Sequence, residues 1–559
     1  MIATVGPASD NERIIEKMTR HGLSTVRINS AHIEHGYIGR IARMVSSINS
    51  RNDMFLSVLV DLKGPELRTA EFPDGKMSVV RGKEYSIGDQ SSDIPLNMPE
   101  IVSDIKEGDK ILLSDGRISL KVISAGTGRL RVKALDTAEC RSRSRVNIPG
   151  RILNLGVLTE RDISFVEEAV QHDIDFFALS FVQKPQNVLD LRERLSGMGN
   201  RSHIVAKIET RSGLSQISKI AAVSDWIMVA RGDLGVEIPL EDVVMAQKTI
   251  IRESHRLGVP TIVATQVLES MVENATPTRA EVSDITNAMM DNADSLMLSE
   301  ETAVGKYPLE SVRYLSRIAN FVEFRYRNFA EADSFNGNHI AFSIALAAKK
   351  VASDVKADAI LSFTRTGSTV RMISAARPES RIIAAVVDRG MARKLNLMRN
   401  VTPLMIPSRY SSLRSLGDLA DFLWETGKLK FGSRVVVTSG TPYFLFGGTT
   451  DLRVLTIGSY IGRGYAIGKS RSGRFDPSGL KGIIFTQKLS MDQLRSDEIS
   501  AILTEESYIP SALVQAVKGK TILLSTKIYR MPSAGEELMI DSGTGVVVSK
   551  QRKKDVRKL

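Results

Sequence analysis

Lysine, arginine and carboxylate side chains stand at the ends of apolar runs at several places in this chain. In HIVAKIE (203–209) Lys207 and Glu209 close such a run, and in WIMVARGD (226–233) Arg231 and Asp233 close another. Residues two apart on a strand share a face, so Lys207 and Glu209 are expected to point into one environment. If the two runs are neighbouring strands, Glu209 and Asp233 can together hold one hard divalent ion, Mg2+, with water and substrate oxygens completing the octahedron. Lys207 then stands beside that ion as a positive charge facing a developing negative one. Gly232 lets backbone N–H groups approach an anion closely. Arg27 in VRIN and Arg68 in VDLKGPELR offer the bidentate fork that phosphate oxygens favour. A metal, an anion-binding turn, two arginines and a lysine are the equipment of phosphoryl transfer, in which positioning and charge stabilisation supply most of the catalysis.

A parallel barrel is the element arrangement that would bring these groups together. Eight apolar runs, MIATVG, LSTVRIN, FLSVLVDL, IDFFALSF, HIVAKIE, DWIMVARG, PTIVATQ and SLMLSE, alternate with helix-like segments. Their C-terminal ends turn polar, as at Asn29, Asp61, Ser180, Thr265 and Ser299, and barrel enzymes build their sites where those ends converge. The first helix is expected over 10–21, with Ser9 and Glu12 as a capping box and Gly22 as its stop. The gap between the third and fourth runs is too long for one helix and holds short β-like pieces, so a small β domain is inserted there. The expected layout is α/β throughout. A (β/α)8 barrel covers 1–66 and 147–332, the inserted β domain 67–146, and a C-terminal α/β domain 333–458. A Gly- and Arg-rich flexible linker follows over 459–480, then a small extra C-terminal domain over 481–549 and a basic tail over 550–559.

The 559 residues are 42% hydrophobic, enough for several cores. With Cys140 as the single cysteine there is no intramolecular disulfide, and with no signal-like opening segment a reducing, cytoplasmic setting is expected. No uncharged apolar run approaches the roughly 20 residues of a membrane span, so no membrane partner is expected. Residues 459–481 and 549–559 hold nine of the eleven net positive charges. The remaining body is close to neutral, so the high pI is expected to reflect these two segments rather than a nucleic-acid groove.

ATVGPAS, VRINSAH, VDLKGPELRT, LLSDGRISL, VNIPG, VAKIE, WIMVARGDLGVEIP, TIVATQVLESM and LMLSEETAVGKYPLESV, in that order, resemble the pyruvate kinase family. The resemblance implies a β-barrel lid inserted after the third barrel strand, a homotetramer, and transfer of the phosphoryl group of phosphoenolpyruvate to ADP with Mg2+, or Mn2+ in its place. It implies that Glu209 and Asp233 hold the metal, that Lys207 faces the phosphoryl group and the enolate, and that Arg27 holds the phosphate. The backbone of Arg231, Gly232 and Asp233 would hold the carboxylate. Thr265 and Ser299 would lie near the carbon that is protonated, with Asn29, His32 and Arg68 on the nucleotide side.

The chain departs from the family pattern at four places. Asn29 and Asp61 remain from the family's potassium site, but Ala31 and Leu62 replace two oxygen-bearing side chains, so potassium dependence is expected to be weak or absent; the retained Glu66 is the one feature on the other side, since family members that work without potassium usually carry a cation there. Ser144 stands where a lid lysine is common, flanked by Arg143 and Arg145. Glu300 replaces a glycine beside Ser299. The final unit resembles the mobile phosphohistidine domain of phosphoenolpyruvate-utilising enzymes, yet Ala512 follows Ser511 where the histidine belongs and the last histidine of the chain is His339. That unit is therefore expected to be structural or regulatory. The loop Thr364, Thr366, Ser368 and Thr369 reads either as the family's sugar-phosphate effector loop or as ordinary helix capping. A catalytically silent regulatory homologue and a Mg-dependent pyruvate-enolate aldolase or lyase stay open as other classes.

Overall fold

The structure is a computed structural model that describes residues 1–126, 128–151, 153, 156, 158–326, 339–406, 416–439, 451–509, 511–517 and 519–551. The eight apolar runs form β1 (Ile2–Thr4), β2 (Thr25–Asn29), β3 (Ser57–Leu62), β4 (Phe176–Leu179), β5 (His203–Ile208), β6 (Trp226–Ala230), β7 (Thr261–Ala264) and β8 (Ser295–Leu298). They close into a parallel barrel in the order β1-β8-β7-β6-β5-β4-β3-β2. All residues of β3, β4, β6, β7 and β8 are buried, which accounts for near-continuous apolar runs rather than alternation. The register levels the polar ends, with Arg27 beside Thr4 and Leu59, Asn29 beside Asp61, and Lys207 beside Met228.

The first helix runs Glu12–Thr19 and is capped by Asn11, whose side chain accepts from the N–H of Arg13. The expected Ser9–Glu12 capping box is not formed, because Asn11 lies one residue before the helix and takes the cap.

Between β3 and β4 the chain builds a six-stranded sheet and a two-stranded ribbon. Arg129–Ala134, RLRVKA, is exposed and buried in strict alternation, one face covering a core that includes Ile87, Leu120 and Val132. This domain returns to the barrel through Val146–Asn147.

Two compact units divide the chain: Met1–His339 with Arg389–Arg399, and Ile340–Asp388 with Asn400–Leu559. Arg389–Arg399 lies in the stretch expected to be α/β domain, yet it groups with the barrel. There Arg393 Nε donates to Asp175 at 2.9 Å and Asn396 donates to the Phe55 carbonyl at 3.0 Å. Burial pushes the Asp175 carboxyl up to about 6, and Arg393 opposes the shift.

In the second unit, Val401–Met405, Arg381–Val386, Ala359–Phe363, Arg434–Ser439 and Asp451–Thr456 lie side by side in one sheet, with the helices Ser368–Ala375 and Leu416–Glu425 in the intervening chain. A seven-stranded sheet occupies Ser459 to Ser549. The stretch expected as a flexible linker, 459–480, is therefore largely sheet: Ser459–Ile467 and Arg471–Arg474 are strands within it. Its glycines serve close packing, since a Cβ on Gly464 would lie 2.4 Å from the Leu524 carbonyl and one on Gly462 would lie 2.9 Å from that of Lys527. Buried Asp541 accepts from Arg434 Nε at 3.0 Å and from Thr456 Oγ1 at 2.5 Å, joining this sheet to the one before it. The expected domain start at 333 and the tail residues 552–559 lie outside the described residues. Among the described residues no helix is long and apolar enough to cross a membrane.

Candidate active site

Lys207, near the end of β5, is the centre of the polar cluster at the C-terminal face of the barrel. Its Nζ donates to Ser180 Oγ at 2.8 Å and lies 2.9 Å from Glu209 Oε1 and 3.3 Å from Asp61 Oδ1. Alternation along β5 thus becomes direct contact between Lys207 and Glu209. Burial works against the ammonium, but Asp61 and Glu209 outweigh it and raise its pKa, so Lys207 stays charged.

Asp61, at the end of β3, links Lys207 to Arg27. Arg27 Nε donates to Asp61 Oδ2 at 2.8 Å and its Nη1 donates to Thr4 Oγ1 at 2.8 Å. Burial penalises the Asp61 carboxylate, yet Lys207 and Arg27 together hold its pKa below the ordinary range. Glu209 is 1% exposed, and its second oxygen accepts the N–H of Phe181 at 2.7 Å. Burial pushes its carboxyl up to about 7, with Lys207 opposing and Asp233 adding to the rise.

Asp233 lies in the short helix Arg231–Glu237 that follows β6. The Arg231 side chain is turned inward, donating to Asp284 at 2.5 Å, to the Thr265 carbonyl at 2.7 Å and to that of Gln266 at 3.0 Å. It braces the end of β7, where Thr265 (φ 62°) and Gln266 (φ 53°) sit in the left-handed region. A β-branched residue there is strained, and such strain concentrates at functional sites. The Gly232 N–H, expected to be open to an anion, instead donates to Thr265 Oγ1 at 2.9 Å. Ser299 follows β8; its N–H donates to Glu301 at 2.6 Å, and its buried Oγ has no partner among the described residues.

The residues expected on the nucleotide side are differently engaged. Asn29 Oδ1 accepts the Ala31 N–H at 3.2 Å as the cap of the turn Ser30–His32, and His32 is exposed. Arg68 grips Glu66 with two bonds of 2.8 and 2.9 Å and donates to the Arg143 carbonyl at 2.7 Å. Of the two arginines beside Ser144, Arg143 pairs with exposed Glu71, whereas Arg145 donates to Glu66 at 2.7 Å and pairs with Asp233. Arg145, Ser180 and the Phe181 N–H have partners in the cluster that the sequence reading did not assign. The polar strand ending at Ser180 and the place of Arg145 beside Ser144 in the lid are the signals the sequence carries for them.

No three His, Cys, Asp or Glu side chains converge as a complete metal cage among the described residues. Glu209 and Asp233 are near enough that Asp233 adds to the upward push on Glu209. This two-carboxylate oxygen set fits a hard divalent ion whose shell is finished by water and substrate.

Comparison with known proteins places these geometries in context. Residues 1–312 match the family model "Pyruvate kinase, barrel domain", and residues 343–455 match "Pyruvate kinase, alpha/beta domain". The chain is 46% identical to a pyruvate kinase of Thermoplasma acidophilum over 549 residues, 98% of each chain. It is 35% identical to a Staphylococcus aureus pyruvate kinase over 480 residues, covering 84% of this chain and 82% of that one. A crystal structure of a pyruvate kinase from Cryptosporidium parvum superposes with a TM-score of 0.75 at 30% identity, covering 82% of this chain and 95% of the other.

Proposed function

The chain belongs to the pyruvate kinase family, transferring the phosphoryl group of phosphoenolpyruvate to ADP to give pyruvate and ATP, and we propose that the Lys207 cluster is where it does so. The observation that carries this reading is Lys207 itself: a charged, nearly buried ammonium held between Ser180, Asp61 and Glu209 at the open end of a barrel.

Family membership implies a divalent metal. Glu209 and Asp233 would hold it as Mg2+, or Mn2+ in its place, and when bound it supplies positive charge to phosphate and enolate oxygens. Lys207 stabilises the phosphoryl group in flight and the enolate left behind. Arg27, fixed by Asp61 and Thr4, holds a phosphate oxygen. The N–H of Gly232, released from Thr265 Oγ1, takes the substrate carboxylate together with its backbone neighbours Arg231 and Asp233. Thr265 and Ser299 line the side on which the enolate carbon is protonated. Asn29, His32 and Arg68 border the nucleotide.

Turnover without potassium fits the same geometry. Both oxygens of Asp61 already meet cations, Arg27 and Lys207, and the Asn29 oxygen is used in a cap. Glu66 is covered by Lys63 at 3.3 Å, Arg68 and Arg145, so these carboxylates already have positive partners. We infer a cytoplasmic homotetramer, a reading that the single cysteine and the exposed apolar residues Leu240, Val244 and Met245 support. The terminal sheet, lacking a phosphocarrier histidine, is assigned a structural or regulatory role.

Pyruvate formation from phosphoenolpyruvate, ADP and Mg2+ tests the assignment, run in potassium-free buffer and then with potassium added. Turnover in both is expected, and Lys207→Met is expected to remove about three orders of magnitude of kcat while the chain still folds, with a lowered melting temperature because buried Asp61 and Glu209 lose a cation. Turnover unchanged by Lys207→Met would overturn the assignment of the site, and turnover confined to potassium-containing buffer would overturn the cation argument.

A further inference from the structure

Arg145 belongs to the inserted β domain, and its guanidinium bridges two acids at the active site. Its Nε donates to Glu66 Oε1 at 2.7 Å, its Nη1 pairs with Asp233 Oδ1, and Nη1 also lies 3.8 Å from Asp115 Oδ1. The pairing with Asp233 joins residues 88 positions apart in the chain. The backbone around Arg145 is pinned as well: its carbonyl accepts the Ser114 N–H at 3.0 Å, and the next N–H, of Val146, donates to the Leu67 carbonyl at 2.9 Å. The guanidinium therefore has a fixed base and two alternative ends, one tied to Glu66 and one to Asp233.

Resting on the reading of Asp233 as a metal ligand, we propose that Arg145 is a positioning residue that holds Asp233 in the metal-free enzyme and hands it over when the divalent ion and substrate arrive together. A guanidinium in contact with a carboxylate oxygen competes with a divalent cation for it, by charge and by space. Glu66 keeps hold of Nε, so release from Asp233 swings the Nη end without freeing the side chain. That end is a planar fork suited to phosphate oxygens, and the phosphoryl group of the substrate is the anion that enters beside Asp233. Arg145 thus exchanges a carboxylate for a phosphate. Metal binds weakly to the free enzyme and tightly once phosphoenolpyruvate is present, and the enhancement is reciprocal.

Titration of the full chain with Mn2+, followed by the electron paramagnetic resonance of the free ion, tests this without measuring turnover. In the absence of substrate Arg145→Gln is expected to bind Mn2+ about tenfold tighter than the unaltered chain, and Arg145→Lys, which keeps the charge but cannot grip Glu66 and Asp233 together, to fall between the two. With saturating phosphoenolpyruvate the advantage of Arg145→Gln is expected to shrink. If Arg145→Gln does not fold, Arg145→Met is the second probe with the same expectation. Mn2+ affinity unchanged or weakened in the charge-removing variant overturns the proposal, as does an equal gain in Arg145→Lys. Asp233→Asn separates the two levels. If it binds Mn2+ as well as the unaltered chain, the metal reading of Asp233 fails and the proposal with it. If it loses Mn2+ while Arg145→Gln gains nothing, the metal reading stands and only the role of Arg145 is refuted.

Discussion

Glu209 shows how much one buried carboxyl can set. Burial lifts its pKa from 4.5 to about 7 in the metal-free protein, with Lys207 opposing and Asp233 reinforcing the shift. A metal takes the carboxylate, so below pH about 7 a proton must leave as the ion enters. Metal affinity is therefore expected to fall by up to about tenfold per pH unit below about 7 and to level off above it. Mn2+ titrations across that range check it, and a flat profile would contradict the raised pKa. The stability sign runs the same way: because the folded pKa lies above the unfolded one, the metal-free fold loses stability as pH rises from 4.5 through about 7. The pairing of Lys207 with Glu209 was readable from strand alternation alone, since it is local. Arg145 was not, because its meeting with Asp233 depends on how a separate domain returns to the barrel. The left-handed φ at Thr265 was equally hidden, as nothing in TIVATQ announces a strained threonine.

At the scale of elements, the barrel was legible because its strands are buried on both faces and leave continuous apolar runs in the sequence. The terminal sheet was not, for a reason located in its glycines. SYIGRGYAIG has the composition of a linker, but in the structure the absence of a Cβ lets neighbouring backbone approach. Gly464 is the sharpest instance: a Cβ there would sit 2.4 Å from the Leu524 carbonyl and 3.0 Å from Leu523 Cγ. Gly464→Ala is accordingly expected to destabilise this sheet by about 1–3 kcal/mol, the usual cost of overpacking. Thermal unfolding together with limited proteolysis of the full chain would register the change. A variant with the melting profile and cleavage pattern of the unaltered chain would mean that 459–467 behaves as the linker its composition suggests. The first helix makes a smaller version of the same point, its cap moving from Ser9 to Asn11 because two polar residues competed for one set of open N–H groups.

At the scale of the whole molecule, the surface of the barrel unit asks for a partner. Leu240, Val244 and Met245 are 79%, 57% and 62% exposed, and they fall within six consecutive residues at the start of the helix Val243–His255. Apolar side chains grouped this way mark interfaces more often than free surface. A homotetramer is expected to sediment at about four times the 61.4 kDa chain mass, and Val244→Asp with Met245→Asp to shift the chain towards smaller species. Sedimentation velocity on both proteins decides it: an unaltered chain that runs as a monomer at micromolar concentration removes the tetramer, and a doubly charged variant that still assembles moves the interface elsewhere. The cluster of Lys207, Glu209, Arg27, Asp61, Asp233 and Arg145 is drawn from one chain and one compact unit. Dissociation is therefore expected to leave Mg2+-dependent turnover within about tenfold of the assembled enzyme, because these six side chains already meet within one chain.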